Sequence, residues 1–371
     1  MPNGEKRMKK AFTIIELLVA MALLAMLIAI SGIVFSTAVR AYRTAGATTE
    51  IAAKLQVITQ QLNADFRGLR KEGEFLLVWA PSPELKIDGT ILDENNDTIP
   101  DRYFSFDRLL FFTEGDFQSY HLQPPPSGTI RVSSNLARVC YSFGRDAKNV
   151  RAWNEPNPVK RMLCRTQHLF SGDMGLPTFP DLSVAWDATG FEQKNFACEY
   201  QTMTMEDWLA IPVGNPTPIK DDMLSKILDL GVGASVLPPP QGGPKVDMST
   251  PQKTGETVHQ LFMQGIGQFH VQIWRSDLNR WFPEIDPDGD GIYNETNPDG
   301  TVPDYLLDGN KIDTVNLRRL WILGDVAAYD SDTSLFNYDQ VGTALKFTFT
   351  LYDSNGVFKD GKTFTHIVYF N

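Results

Sequence analysis

The 371-residue sequence has few of the residues that most often carry chemistry in proteins. It contains three cysteines and five histidines, and no two cysteines have the CxxC spacing of a zinc site or a thioredoxin-type motif. It also contains no GxSxG, no HExxH, no Walker loop and no complete GxGxxG. The sequence signals of the common hydrolases, metalloproteases and nucleotide-binding enzymes are therefore missing.

Net positive charge is also missing. The formal charge is -11 at pH 7 and the sequence pI is about 5.0. Because binding to phosphate backbones depends on Lys and Arg, nucleic acid is not an expected partner. Hydrophobic residues make up 42% and aromatic residues 11% of the chain, which is enough for a packed core and argues against a disordered protein.

Ionisable side chains are absent from one long stretch, residues 17–39. A helix from Phe12 to Val39 would be about 40 Å long at 1.5 Å per residue, enough to cross a membrane. Four basic residues precede it and predict a cytoplasmic N-terminus with the remainder outside. These residues are Lys6, Arg7, Lys9 and Lys10.

Glu16 lies near the start of this apolar region, where a carboxylate is costly unless it is paired. A secretory signal peptide is a poor explanation, because the apolar core is too long and the small residue Ala11 precedes it. An ordinary signal anchor fits the hydropathy but gives no reason for Glu16. If Glu16 is not paired, the alternative is that its carboxylate extends to the cytoplasmic membrane interface.

The string KKAFTIIELLVAMALL, residues 9–24, resembles the N-terminus of type IV pilins and type II secretion pseudopilins. The family pattern is a basic leader, a small residue, an aromatic first mature residue and a carboxylate fifth in the mature chain. Ala11, Phe12 and Glu16 match the last three features, although the family usually has Gly at the position of Ala11. The resemblance implies cleavage after Ala11 by a prepilin peptidase and methylation of the new Phe12 amine. It also implies that Glu16 pairs with a neighbour's positive terminus in a filament.

The sequence predicts an α+β fold, with a long N-terminal helix packed on an antiparallel β-sheet head. The amphipathic part of the helix has an apolar stripe at steps of three and four residues: Ile51, Leu55, Ile58, Leu62, Phe66 and Leu69. The predicted segments are a leader at 1–11, a transmembrane or filament-core helix at 12–40, an amphipathic helix at 41–73 and a head at 74–371 with an insertion at about 171–260. A second, smaller domain is the alternative for the insertion.

Short aromatic and aliphatic runs predict the strands of the head. They are FLLVWA (75–80), DRLLFFT (107–113), ARVCYSF (137–143), RMLCRTQ (161–167) and QFHVQIW (268–274). Near the end, LKFTFTLYD alternates apolar and polar residues and is followed by KTFTHIVYF. These two segments predict a closing hairpin across the turn SNGVFKDG.

The order of these head segments resembles the minor pseudopilin J subunit. This resemblance implies a structural subunit, not an enzyme, in a tip complex with the I and K subunits. Its further partners would be H- and G-type pseudopilins, prepilin peptidase, the inner-membrane assembly platform and membrane lipid. The head would lie in the periplasm beyond a single inner-membrane helix. The alternative is a minor pilin of a type IV pilus, acting as a calcium-stabilised adhesion module.

Two acidic loops, DENNDTIPD (93–101) and DPDGDGIYNETN (286–297), are candidate Ca²⁺ sites. Oxygen-bearing side chains stand at positions one, three, five and nine of each, and Ca²⁺ accepts six to eight such ligands. The loops resemble thrombospondin type 3 aspartate loops, and an ordinary Asp/Asn-rich turn is the alternative. The candidate ligands are Asp93, Asn95, Asp97 and Asp101 in the first loop and Asp286, Asp288, Asp290 and Asn294 in the second.

Cys140 and Cys164 fall on consecutive predicted strands. The alternatives are a cross-strand disulfide and two unpaired buried thiols. His270 and His366 lie on predicted strands too, where packed or edge positions are the expected roles rather than catalysis.

Overall fold

The computed structural model begins with one long helix, α1, over Ile14–Arg67. This helix contains no proline and only two glycines, so it has few residues that oppose helix formation. The residues that the structure describes are 13–73, 75–79, 81–83, 103–118, 133–144, 155–171, 200–201, 204–209, 261–276, 279–282, 319–323 and 343–369. Contacts divide the chain into two compact units, Met1–Glu50 and Ile51–Asn371.

The first unit presents its apolar side chains to the outside. The large apolar residues between Ile14 and Phe35 that are exposed have 53% to 79% of their surface accessible. By length and composition, α1 is the one helix among the described residues that can cross a membrane. An apolar surface of this extent is unfavourable in water and is matched by lipid or by other apolar helices.

In the second unit the helix buries one apolar stripe, and residues such as Gln56 and Gln60 on other sides are exposed. Ile51, Ile58, Leu62 and Phe66 are buried in the main hydrophobic cluster, and Leu55 packs against it. The spacing of three and four residues puts these side chains on one helix face, so the predicted stripe is confirmed as core packing.

The helix ends at Arg67, six residues before the predicted stop at Gly73. A Cβ at Gly68 would lie 1.9 Å from the carbonyl oxygen of Glu114, so only glycine fits there. The Glu114 N–H donates to the Gly68 carbonyl at 2.7 Å, and Leu69 bridges Thr113. The chain leaves the helix early because its backbone pairs with a strand at this point.

The strand that pairs with the helix end is β4 (Arg108–Gln118), which belongs to sheet 1. The strand order of sheet 1 is β11-β1-β4-β5-β6, and β7 and β8 both pair with β6. Pairing is antiparallel except for the short β6–β7 contact. The strands are β1 (Phe75–Trp79), β4 (Arg108–Gln118), β5 (Ser133–Phe143), β6 (Met162–Phe170), β7 (Tyr200–Gln201), β8 (Leu261–Gln264) and β11 (Arg319–Leu323).

Sheet 2 has the antiparallel order β10-β9-β12-β13, and β2 and β3 form a separate pair. The strands are β2 (Pro81–Pro83), β3 (Tyr103–Ser105), β9 (Ile266–Arg275), β10 (Arg280–Phe282), β12 (Ala344–Leu351) and β13 (Lys362–Tyr369). A 3₁₀ turn covers Pro158–Lys160, and a short helix, α2, covers Met205–Leu209. The predicted α+β fold and the closing β12–β13 hairpin are confirmed.

Sheets 1 and 2 and the helix share one core. Buried side chains from β4, β5 and β6 and from β9 and β12 belong to the same cluster as the helix stripe. Gly265, between β8 and β9, has φ +80. A side chain is disfavoured in this conformation, and the turn lets consecutive residues pass from sheet 1 to sheet 2.

The opposite face of sheet 1 is buried as well, in part by α2. Trp208 is fully buried and its ring lies under the Arg138 guanidinium, 4.6 Å from the ring centroid. His168 and Phe170 meet the same indole edge-on, at 6.3 and 5.8 Å between centroids. These contacts hold residues 205–209 of the predicted insertion on the head, while most of the insertion lies outside the described residues.

Cys140 and Cys164 lie on this opposite face as free, buried thiols, so the structure does not form the disulfide that the sequence left open. Cys140 is opposite Thr166, and Cys164 is opposite Ser142, which makes the two cysteines diagonal neighbours. Diagonal side chains are about 7 Å apart, whereas a disulfide needs a Cβ separation of about 4 Å. Burial raises the pKa of Cys140 to about 11, which disfavours the reactive thiolate.

A buried ion pair joins the helix to sheet 1. The Arg165 guanidinium donates from Nε and Nη2 to the two carboxylate oxygens of Asp65, each at 2.7 Å. The Tyr141 hydroxyl donates to the same carboxylate, and Thr113 donates to the Asp65 carbonyl. Burial, and then the charge of Asp65, raise the pKa of Tyr141 well above its usual value. Two strands thus hold one helix carboxylate.

Removing this carboxylate should destabilise the head strongly. Asp65→Ala removes the carboxylate from a buried ion pair with Arg165, which typically costs about 3–5 kcal/mol. The measurement is urea unfolding of the full chain in mild detergent, followed by tryptophan fluorescence. Gln60→Ala, at an exposed position of the same helix, is the control and should change stability by less than about 0.5 kcal/mol. Equal stability of both variants would contradict the role of Asp65.

Stability should also fall in mild acid because of His168. Burial, and then the nearby Arg138 charge, lower the pKa of His168 well below its usual value. The unfolded chain therefore takes up a proton near pH 6.5 that the folded chain does not, so stability is lost as the pH falls below about 6.5. For His168→Asn, the free energy of unfolding is measured from pH 7.5 to 5. Its slope against pH should be shallower than in the unaltered chain by up to about 1.4 kcal/mol per pH unit.

The control for this titration is His366→Asn. Burial lowers the pKa of His366 too, but its ring is only half-buried, so its removal should change the slope less. An unchanged slope in His168→Asn would show that another group governs acid sensitivity.

Candidate functional site

The candidate site is the start of α1, where the sequence predicts processing and assembly. Ala11 and Phe12 lie outside the described residues. Glu16 lies in the first turn of the helix and is exposed. Of the predicted processing and assembly residues, the structure thus describes the carboxylate alone.

Glu16 takes part in a capping box with Thr13. The Thr13 N–H donates to Glu16 Oε2 at 2.9 Å, and the Glu16 N–H donates to Thr13 Oγ1 at 3.3 Å. The Thr13 hydroxyl also donates to Oε2 at 3.1 Å. Two backbone N–H groups that the helix cannot satisfy are bonded in this way.

Sequence reasoning missed this contact, although the signal was present. Thr-x-x-Glu before an apolar run is the usual signature of a capping box, and residues 13–16 read TIIE. The same device starts α2, where Thr204 and Asp207 exchange bonds between side chain and backbone. Glu16 therefore has a local structural role in addition to any role between subunits.

The positive end of the helix dipole further favours a carboxylate at this position. Unsatisfied N–H groups give a helix N-terminus a partial positive charge, and acidic side chains in the first turn complement it. The capping bonds hold the carboxylate over this end of the helix. The first turn can therefore carry a fixed negative group beside an apolar surface.

Hydroxyl groups farther along the apolar segment bond to the helix backbone. Ser36 and Thr37 both donate to the Ile33 carbonyl at 2.9 Å. Such internal bonds satisfy polar groups where no water is present. The two hydroxyls are thus compatible with an apolar environment.

The apolar segment ends at a cluster of exposed interfacial residues. Arg40 and Arg43 follow Val39 and are exposed, and Tyr42 has 82% of its surface accessible. Arginine and tyrosine are common where a membrane helix reaches the water interface. A carboxylate therefore precedes the apolar segment and two guanidinium groups follow it.

Two histidines of the head that the structure describes, His270 and His366, form structural contacts. His270 Nδ1 lies 2.8 Å from Asp107 Oδ2, and that oxygen also accepts the Val271 N–H at 2.8 Å. Both members of the pair are buried, with 1% and 0% of their side chains accessible. The half-buried His366 has its Nε2 2.9 Å from the side-chain oxygen of the exposed Asn63. The buried pair has no surface at which a substrate could meet it.

Neither acidic loop can be assessed as a metal site, because 93–101 and 286–297 lie outside the described residues. Within the described part of the chain, no group of three or more His, Cys, Asp or Glu side chains is arranged to hold a metal ion. The proposed Ca²⁺ ligands therefore stay predictions from sequence.

Comparison with protein families finds the prokaryotic N-terminal methylation motif at residues 6–32. Comparison with curated proteins and with solved structures gives no match. The matched segment contains the basic residues at 6–10, Glu16 and the first part of the apolar helix. Together with the α+β fold, it supports a type IV pilin-like protein with a prepilin-type N-terminus.

Proposed function

We propose that this chain is a minor structural subunit of a type II secretion pseudopilus, nearest to the J-type subunit. It is inserted in the bacterial inner membrane with a periplasmic head, cleaved after Ala11 by prepilin peptidase and then assembled into a filament. The match at residues 6–32 is the observation that supports a processed, pilin-like subunit. The order of the head strands supports the J-type assignment.

Processing would create the partner that Glu16 needs. Cleavage after Ala11 releases the α-amino group of Phe12, which stays positively charged after methylation. A neighbouring subunit could then present this cation to Glu16, and the pairing would offset the cost of a carboxylate among apolar helices. Both capping bonds to Glu16 use Oε2, so Oε1 can accept a bond from another chain.

The exposed helix supports assembly through helix contacts. Its apolar side chains from Ile14 to Phe35 are exposed in the isolated chain, and lipid or neighbouring helices are the surroundings that favour them. A filament offers such surroundings when a subunit leaves the membrane. On assembly the apolar side chains would therefore move from lipid to neighbouring helices at little cost in hydrophobic free energy. Specificity for a neighbouring subunit would then depend on the charge of Glu16.

The proposed partners are the I-, K-, H- and G-type pseudopilins and the inner-membrane assembly platform. Retention of Glu16 argues against the K-type tip subunit, which lacks this residue in the family. The J, I and K subunits would form a tip complex that primes the filament.

A minor pilin of a type IV pilus, working as an adhesion module, is the second candidate. The attachment of α2 through Trp208 favours it, because a long insertion held on the head can present a binding surface. We further propose that Ca²⁺ bound by the two acidic loops stabilises the head, since paired Asp and Asn oxygens suit this cation.

Exchange of Glu16 for glutamine should separate its two roles. Gln keeps an oxygen that can accept the capping bonds, but it loses the charge that pairs with an amine. We expect Glu16→Gln to insert in the membrane normally and to lose most filament assembly, roughly tenfold or more, which corresponds to about 1.4 kcal/mol. The measurement is crosslinking of subunits in sheared filaments.

Thr13→Val is the matched control for this experiment. It removes the capping hydroxyl and leaves the charge of Glu16, so assembly should fall much less. If Thr13→Val blocked assembly while Glu16→Gln assembled normally, Glu16 would be a helix cap and the charge-pairing role would be refuted.

Calcium binding should be measurable on the full chain in detergent. We expect isothermal titration after chelator treatment to show heat of binding and the melting temperature to rise with Ca²⁺, because a ligand of the folded state stabilises it. Asp286→Asn, Asp288→Asn and Asp290→Asn together should abolish the response of the second loop, and the same changes at Asp93, Asp97 and Asp101 test the first. Absence of heat and of a melting shift in the unaltered chain would exclude the structural Ca²⁺.

A further inference from the structure

The two ends of the apolar helix segment are separated by about the thickness of a membrane. Glu16 precedes the 23 uncharged residues 17–39, and Arg40 follows them. At 1.5 Å per residue, Glu16 and Arg40 are about 36 Å apart along the helix. The hydrocarbon core is about 30 Å thick and the headgroups extend it to about 40–45 Å. When Glu16 lies at the inner interface, Arg40 lies among the outer headgroups.

Arg40 and Arg43 form a pair on the helix surface. Side chains three residues apart are neighbours on a helix, so Arg40 and Arg43 project from the same helix face. Both are exposed. Tyr42 is two residues from Arg40 and therefore lies on another side of the helix at the same level, with 82% of its surface accessible. The aromatic ring with its hydroxyl suits the boundary between acyl chains and headgroups.

The local sequence provides no acidic partner for this pair. Residues 36–47 contain no Asp or Glu, so neither arginine has a carboxylate three or four residues away on its own helix. A guanidinium group presents a planar set of donors that matches a phosphate group in a bidentate manner. At this depth in the membrane, lipid phosphates are the most abundant acceptors.

We propose that Arg40 and Arg43 form a binding site for anionic phospholipid headgroups in the outer leaflet. The site fixes the depth of the helix before the subunit enters a filament. This inference rests on the membrane insertion that is part of the proposed function. It adds the lipid class and the residues that select it.

The test measures lipid selectivity of the full chain in phosphatidylcholine vesicles. Spin-labelled phosphatidylglycerol and spin-labelled phosphatidylcholine are compared by the fraction that the protein immobilises. Basic residues near a membrane surface attract anionic lipid by up to roughly fivefold each. We expect the unaltered chain to prefer phosphatidylglycerol and the Arg40→Gln/Arg43→Gln variant to lose about two- to fivefold of that preference. High salt should weaken the preference, because surface charges are screened.

Arg67→Gln is the matched control, since Arg67 is exposed on the same helix and lies 24 residues beyond Arg43. It should keep the full preference. The basic leader is identical in all three chains, so its contribution cancels in the comparison. Equal selectivity of the double variant and the unaltered chain would overturn the proposal and assign the two arginines to a protein neighbour.

Alkaline extraction of the same vesicles distinguishes this failure from failure of the proposed function. A chain that stays in the membrane at high pH but shows no lipid preference refutes the headgroup site alone. Release of the unaltered chain by alkali would refute membrane insertion and the headgroup site with it.

Discussion

The bidentate bond from Arg165 to Asp65 is the contact on which the attachment of the helix to the sheets depends. The apolar stripe provides most of the burial, but hydrophobic contact is non-directional and tolerates small rotations and shifts. A buried carboxylate tolerates such rotations and shifts much less, because loss of its partners leaves a charge in a medium that cannot solvate it. Asp65 meets Arg165 and Tyr141 in one rotation and one register of the helix. The ion pair therefore selects the packing that the stripe makes favourable.

A second polar contact fixes the helix farther toward its N-terminus. Lys54 Nζ donates to the Tyr352 carbonyl at 2.7 Å, just after β12 of sheet 2, whereas Asp65 meets sheet 1. The two helix residues are about 16 Å apart along the axis. Two directional contacts to two sheets oppose sliding and rotation of this part of the helix.

The periodic elements of this fold could be predicted from the sequence, whereas few of its long-range contacts could. The stripe from Ile51 to Phe66 and the alternation in β12 were readable because burial repeats with the period of a helix or a strand. The bond between Asp65 and Arg165 joins residues 100 positions apart, and no local pattern encodes such a pair. The helix end at Gly68 depends on a carbonyl of Glu114, so a prediction from neighbouring residues extended the helix to Gly73. At the candidate site the missed contact was a local one. The residues TIIE are a capping-box signal, but the prediction from sequence considered only the charge of Glu16.

The helix-capping role of Glu16 would aid the charge pairing that we propose for it. A carboxylate on a freely rotating side chain loses rotamer entropy when it binds an amine, whereas the bonds to Thr13 already restrict it. Oε2 accepts the capping bonds. These hydrogen bonds leave the full negative charge on the carboxylate, so the amine of a neighbour could still pair with it. The capping box thus orients the group that a neighbouring subunit would bind, and a residue that is costly in an apolar segment becomes a rigid, directional acceptor.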